Sequence, residues 1–319
     1  MTKILILRET SHGKGGIENY CCIMEQMFHE TAGYEVLPGK DLPLLQIPLF
    51  HNIYRWGAIK KAIQQADIIQ INGYTALSTT QALLLALHYR KKIIYSPHWH
   101  PFHCLQHPFF GKLFFNVFIR PFARRTNTVV TINNEDTAYF SRFHHHVVRI
   151  PHFSTLAKGK PKDKIPNMIL FVGNLDNHVK GSEHLIHIPP DLYQIHCVGK
   201  GQLPQRNDLL QHTNITDEQL DALYAQASLL VVPSKYEAFS YVALEALLHN
   251  TPVVMSERVR IADYLKDIQG YQTFRYGDYT GFVKAIQSTI GTPVDLEKVQ
   301  KLFSPERIRS MYISLFSTL

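Results

Sequence analysis

Glu237 and Glu245 lie in the segment VVPSKYEAFSYVALEALLHNTPVV, residues 231–254. An apolar run ends at Pro233, a polar loop carries Glu237, and a helix is predicted from about Ser240 to Asn250. A second apolar run follows at Pro252–Met255. The first amides of a helix lack partners and its macrodipole is positive there, so the loop–helix junction is suited to phosphate. Carboxylates beside it can accept hydrogen bonds from sugar hydroxyls. By themselves, two acids at this spacing favour an ordinary αβ unit with solvated side chains.

Three other stretches carry chemistry-bearing residues. His12-Gly13-Lys14-Gly15-Gly16-Ile17-Glu18-Asn19 follows the first apolar run, and its glycines let backbone pass close to a ligand ahead of a helix. Such a loop alone is a weak signal. Tyr95-Ser96-Pro97-His98-Trp99-His100-Pro101-Phe102-His103 follows a predicted strand and so lies at the carboxyl edge of a sheet, where α/β proteins bind ligands. Residues 109–125 are aromatic and basic, with Lys112, Arg120, Arg124 and Arg125. They read either as a helix for a membrane interface or as aromatics packed on the first sheet.

The elements that must position these residues alternate in type. Apolar runs at Ile4–Leu7, Ile68–Ile71, Ile93–Tyr95 and Thr128–Ile132 are separated by helical stretches such as Ala76–Tyr89. The pattern resumes at Met168–Val172, Tyr193–Val198, Leu229–Val232 and Pro252–Met255. Alternation of this kind predicts parallel sheets covered by helices on both faces. The polar stretch Ser154–Asn167 has the composition of a linker. The prediction is therefore two doubly wound α/β domains with a cleft between them, 1–153 and 154–303, and 319 residues is ample for two cores.

Charge is uneven. Residues 1–160 hold 18 Lys and Arg against 9 Asp and Glu, whereas the whole chain carries only +7. A basic excess confined to one half points to a polyanion or an anionic membrane facing that half. No run of 18 uncharged apolar residues is present, so no membrane-spanning helix is expected. The start, MTKILILRET, reads as a buried strand rather than a signal peptide. Cys21, Cys22, Cys104 and Cys197 show no metal-ligand spacing, which implies a reduced, cytoplasmic setting.

With PS-x-x-E-x-F, ALEAL and TPVV around it, the Glu237–Glu245 segment resembles the E-x7-E signature of nucleotide-sugar glycosyltransferases of the GT-B fold, most closely glycosyltransferase family 4. Phe171-Val172-Gly173-Asn174 through Lys180-Gly181 resembles the family's V-G-R-L…K-G motif, with Asn174 in place of the usual Arg. Ala238 and Ser240 replace two glycines common after the first Glu. His152 stands where the family has Asn.

The resemblance implies a retaining transfer of a hexose from a nucleoside diphosphate sugar to a hydroxyl acceptor. Glu245 would hold ribose hydroxyls and Glu237 the donor sugar. Lys180 and the amides of Phe239, Ser240, Tyr241 and Val242 would bind diphosphate, whose developing charge needs cations or amides. Gly15, Gly16, Gly173 and Asn174 would line the donor side, and Lys14, Asn19, His98 and His100 the acceptor side. Lys14, Arg149 or Lys200 could supply the missing cation. No metal, resident cofactor or nucleic acid is implied. The partners are the donor, a lipid-linked or lipopolysaccharide-type glycan and an anionic membrane surface, with the enzyme peripheral to the cytoplasmic membrane. Residues 304–319 would pack back on the first domain. An epimerase or phosphorylase of the same fold, or a catalytically weak sugar-nucleotide-binding partner protein, are the alternatives.

Overall fold

The computed structural model describes residues 1–8, 16–37, 39, 42–47, 50–73, 77–98, 112–113, 115–154, 163–202 and 206–319. Two compact units are present: Met1–His152 with Ile308–Leu319, and Phe153–Arg307.

In the first unit the strands are β1 (Thr2–Leu7), β2 (Tyr34–Leu37), β3 (Leu44–Ile47), β4 (Phe50–Tyr54), β5 (Ile68–Asn72), β6 (Lys92–Ser96), β7 (Thr128–Thr131) and β8 (Val147–Arg149). Six of them form a parallel sheet in the order β2-β1-β5-β6-β7-β8, and β3 and β4 form a separate antiparallel ribbon. Helices α1 (Gly16–His29), α2 (Trp56–Gln65), α3 (Ser78–His88), α4 (Arg120–Ala123) and α5 (Asn134–Phe140) accompany the sheet. Every residue of β5 is buried, as expected of a strand with both faces covered. The core joins Leu5, Ile69 and Tyr95 to Ile59 and Ile63 of α2, Leu83 of α3 and Phe140 of α5.

The aromatic stretch shows two faces. A π-helical turn, Phe115–Ile119, runs into α4. Phe115, Ile119 and Phe122 belong to the core, so packing on the first sheet accounts for them, while Leu113, Val117 and Phe118 are exposed.

The second unit carries β9 (Met168–Val172), β10 (Gln194–Val198), β11 (Leu209–His212), β12 (Leu229–Val232), β13 (Val253–Ser256) and β14 (Tyr271–Phe274), all parallel, in the order β11-β10-β9-β12-β13-β14. Chain order reverses between β9 and β12, and loops leaving the carboxyl ends of such a pair form the ligand crevice of doubly wound sheets. Its helices are α6 (Asp217–Gln226), α7 (Tyr241–Leu248), α8 (Tyr279–Thr289) and α9 (Leu296–Leu302). The start of α6 is fixed by a capping box, in which Thr216 and Gln219 each bond the other's backbone N–H.

A last helix, α10 (Pro305–Ser317), runs from the second unit into the first. There Tyr312 and Phe316 pack their rings against Phe28 of α1.

Candidate active site

The loops after β9 and β12 bring Lys180 and Glu237 together. Lys180 Nζ lies 2.7 Å from Glu237 Oε1, and Ser234 Oγ donates to the same oxygen at 3.1 Å. Among the described residues Glu237 Oε2 has no protein partner, which leaves an acceptor for hydroxyls.

Backbone contacts hold the two loops in place. Lys235 N donates to Val179 O at 2.7 Å, and Ser182 Oγ to Leu175 O at 2.8 Å. Gly181 has φ +71°, and a Cβ there would stand 1.9 Å from Pro233 O. Only glycine permits both that backbone conformation and that approach. His184 adds a clamp: its Nδ1–H donates to Gly181 O at 3.1 Å, and its Nε2 accepts from Gly277 N. Gly173 lies against the Lys180 stem, with a notional Cβ 3.4 Å from Cγ.

On the other side of Glu237, Arg260 N donates to Glu237 O and Ile261 N to Phe239 O. Helix α7 begins one residue after Ser240, whose Oγ accepts from Ala243 N. Ser240 has φ +110°. Where the resembling family has glycine, this chain keeps a backbone conformation that favours glycine, at a cost on the order of 1–3 kcal/mol. The capping bond offsets part of that cost. Of the four expected amides, those of Tyr241 and Val242 stand in the helix's first turn, where backbone N–H groups lack intrahelical partners. Phe239 is buried, its ring packed near Tyr241, Tyr264 and Phe303.

Glu245, which the resemblance assigns to ribose hydroxyls, is a buried carboxyl. It is only 4% exposed, and each oxygen holds one partner: Oε1 accepts from Ser154 Oγ and Oε2 from Tyr224 OH, each at 3.0 Å. Burial pushes its carboxyl up to about 7, against the pull of those two donors. Each oxygen thus accepts one hydrogen bond, and burial leaves the carboxyl little exposed surface.

Asn174 is exposed and does not stand in for the family's Arg as a cation. Its Oδ1 accepts from Asp176 N at 3.0 Å and shapes the turn. Of the proposed substitute cations, Arg149 bonds Asn134 Oδ1 in the first unit. Lys200 is exposed on the turn after β10, where its carbonyl accepts from Leu175 N. Lys14, Gly15 and His100 lie outside the described residues.

In the first unit, His98 follows β6 with φ +59° and is nearly buried. Asn72 Nδ2 donates to Leu7 O, so Asn72 Oδ1 faces His98 Nε2, at 2.9 Å, as an acceptor. The imidazole hydrogen is therefore on Nε2. Nδ1 keeps its lone pair and finds no partner among the described residues. Burial lowers the His98 pKa to about 3, so the ring is neutral. Around it stand Tyr20 at 4.5 Å and His152 at 5.4 Å between ring centroids. Gln70 Nε2 donates to Tyr20 OH, and Tyr20 OH also bonds Tyr312 OH. Gly16 opens α1 and Asn19 is exposed on it.

Sequence reasoning missed Gln70, Asn72, Tyr20, Ser154, Tyr224, Ser234 and His184. One signal was available: Gln70 and Asn72 interrupt the apolar strand IIQIN, and buried amides require partners.

The segment that carries this loop pair matches a family model. Residues 166–291 match the family model described as Glycosyl transferases group 1. The match falls wholly within the second unit. An uncharacterized glycosyltransferase of Methanocaldococcus jannaschii is 35% identical over 115 residues, covering 31% of this chain and 29% of its own. The alignments span less than a third of the length of the curated relatives that the chain matches.

The fold likeness runs further than the group 1 segment. HepE of Anabaena, solved in complex with UDP-glucose, superposes with TM-score 0.73 at 17% identity over 100% of both chains. The lipopolysaccharide outer core galactosyltransferase WaaB, in its apo form, gives 0.67 at 15% identity over 100% of both. The two parallel α/β units are those of the GT-B glycosyltransferase fold.

Proposed function

We propose that the protein is a retaining glycosyltransferase that moves a hexose from a nucleoside diphosphate sugar to a hydroxyl of a lipid-linked, lipopolysaccharide or polysaccharide glycan. The observation that carries this reading is the Lys180–Glu237 pair at the β9/β12 switch point, beside the N-terminus of α7. A cation and a helix start there suit a diphosphate, and a carboxylate with one oxygen available suits sugar hydroxyls. The UDP-glucose complex of HepE supports a nucleotide-sugar donor, and the likeness to WaaB, a lipopolysaccharide outer core galactosyltransferase, supports a lipopolysaccharide-type acceptor.

In the proposed reaction the bond between the anomeric carbon and the diphosphate oxygen breaks, and the electron pair leaves with the diphosphate. Lys180 and the α7 amides stabilise that charge. The acceptor hydroxyl adds to the anomeric carbon on the same face, and the departing phosphate oxygen takes its proton. No protein base is needed. Glu237 orients the sugar ring, and in the first unit the His98 Nδ1 lone pair is an acceptor suited to a hydroxyl. We place the enzyme in the cytoplasm, peripheral to the membrane. No described helix is long and apolar enough to cross one.

The test incubates the protein with UDP-glucose and other nucleoside diphosphate hexoses, with and without glycan acceptors. Expected are release of the nucleoside diphosphate and a product of unchanged anomeric configuration by NMR, with the rate maintained in EDTA. An inverted product would overturn the retaining assignment, and loss of activity in EDTA would overturn the metal-independent one. Epimerised donor without acceptor would favour the epimerase reading, and absence of turnover with binding intact would favour the partner-protein reading.

A further inference from the structure

Helices α2 and α3 leave an apolar groove on the first unit that the proposed transfer does not use. Its volume is about 560 Å³, and Trp56, Lys60, Leu77, Leu84, Leu85 and His88 line it. Pockets of about 300–1,000 Å³ with mostly apolar walls are the size that holds a small ligand or a hydrocarbon chain. Helix α3 already buries Ala82, Leu83, Leu85 and Ala86 inward. It nonetheless presents Leu84 outward at 60% exposure, and Trp56 of α2 stands at 61%. A helix apolar on both faces requires a second cover.

The charge around the groove says what that cover is. Between residues 55 and 92 the chain carries Arg55, Lys60, Lys61, Arg90, Lys91 and Lys92 against a single acid, Asp67, and Asp67 Oδ2 already accepts from Lys3 N. Lys60 lies in the groove wall itself. Exposed Trp56 and Leu84 with Lys60 in the groove wall, on a segment of six cations and one acid, match an anionic bilayer: chains meet Trp56 and Leu84, and headgroup phosphates meet Lys60.

We propose that the α2–α3 groove is a docking surface for anionic phospholipid, inserting Trp56 and Leu84 into the headgroup–acyl boundary. This deepens the proposed function, because it names the membrane contact of an enzyme read as acting on a lipid-linked glycan. Binding is measured without donor or acceptor, so its failure leaves the transfer reading standing.

The chain has two tryptophans, Trp56 and Trp99. In Trp99→Phe protein the emission of Trp56 reports alone. Expected with vesicles of 30% phosphatidylglycerol in phosphatidylcholine are a blue shift, quenching by brominated acyl chains and co-flotation, all weaker on pure phosphatidylcholine. Leu84→Glu and Lys60→Glu/Lys61→Glu, both changes on the surface, should lower vesicle partitioning at least tenfold with the melting temperature unchanged. No flotation at low salt would overturn the proposal, as would equal binding to uncharged vesicles. So would an unquenched Trp56, or Phe118→Glu abolishing binding while Leu84→Glu does not. A dimer that Leu84→Glu dissolves, with no vesicle binding, would assign the groove to a second copy of the chain and overturn it likewise.

Discussion

Lys180 Nζ lies 2.7 Å from Glu237 Oε1, and the two residues reach one another from loops that follow non-consecutive strands, β9 and β12. Both side chains are partly exposed, so the pair contributes little to folding, about 0–1 kcal/mol.

Lys180→Ala and Glu237→Gln should each lower transfer by roughly 10²–10³-fold, the range for removing one preorganised charge-stabilising group. Thermal melts should move by only a few degrees. Steady-state kinetics beside calorimetry checks this. Full activity in both variants would show that the donor phosphates bind elsewhere.

Gly181→Ala should be far more damaging to the fold than its size suggests. The new Cβ would meet Pro233 O at 1.9 Å at a φ of +71°. A loss of more than about 2 kcal/mol is expected in urea unfolding. Because the shift displaces the Lys180 loop, donor affinity should fall together with stability.

Glu245 should make stability depend on pH. Its folded pKa is raised by burial from the usual 4.5 to about 7. Between those values the folded state binds the extra proton, so this contribution is full below about pH 4.5 and is lost as pH rises through 7. The span corresponds to about 3 kcal/mol. Glu245→Gln should flatten that part of the stability profile measured by denaturant unfolding between pH 4.5 and 8. An unchanged slope would show that Glu245 is solvated.

His98 works in the opposite direction. Its folded pKa is lowered to about 3, so the unfolded chain binds more protons below about pH 6.5. Stability from this site is full above pH 6.5 and declines as pH falls toward 3. Nitrogen-15 NMR should show a neutral ring with the hydrogen on Nε2 down to pH 5. A His98 resonance titrating near 6.5 would contradict the buried Asn72 contact.

The α/β alternation was legible because each central strand is built on a short apolar run. The eight apolar runs correspond to β1, β5, β6, β7, β9, β10, β12 and β13, all interior strands of the two sheets. The four edges, β2, β8, β11 and β14, escaped notice. Edge strands are short and half-solvated, as in LLQH and YQTF, so they carry no apolar run.

The site divides along the same line. Lys180, Gly181, Glu237 and the α7 start were readable because they lie in the motifs that carry the family resemblance, close to strand ends in the chain. The residues that set their state come from far away in sequence. Ser154 and Tyr224 bond Glu245, and Asn72 fixes the His98 tautomer. The amino-acid sequence thus determined the two parallel sheets and the cation, the acid and the helix end near their carboxyl edges. Only the tertiary structure decided that Glu237 is partly exposed and Glu245 buried, because burial and hydrogen-bond partners depend on which strands become neighbours in space.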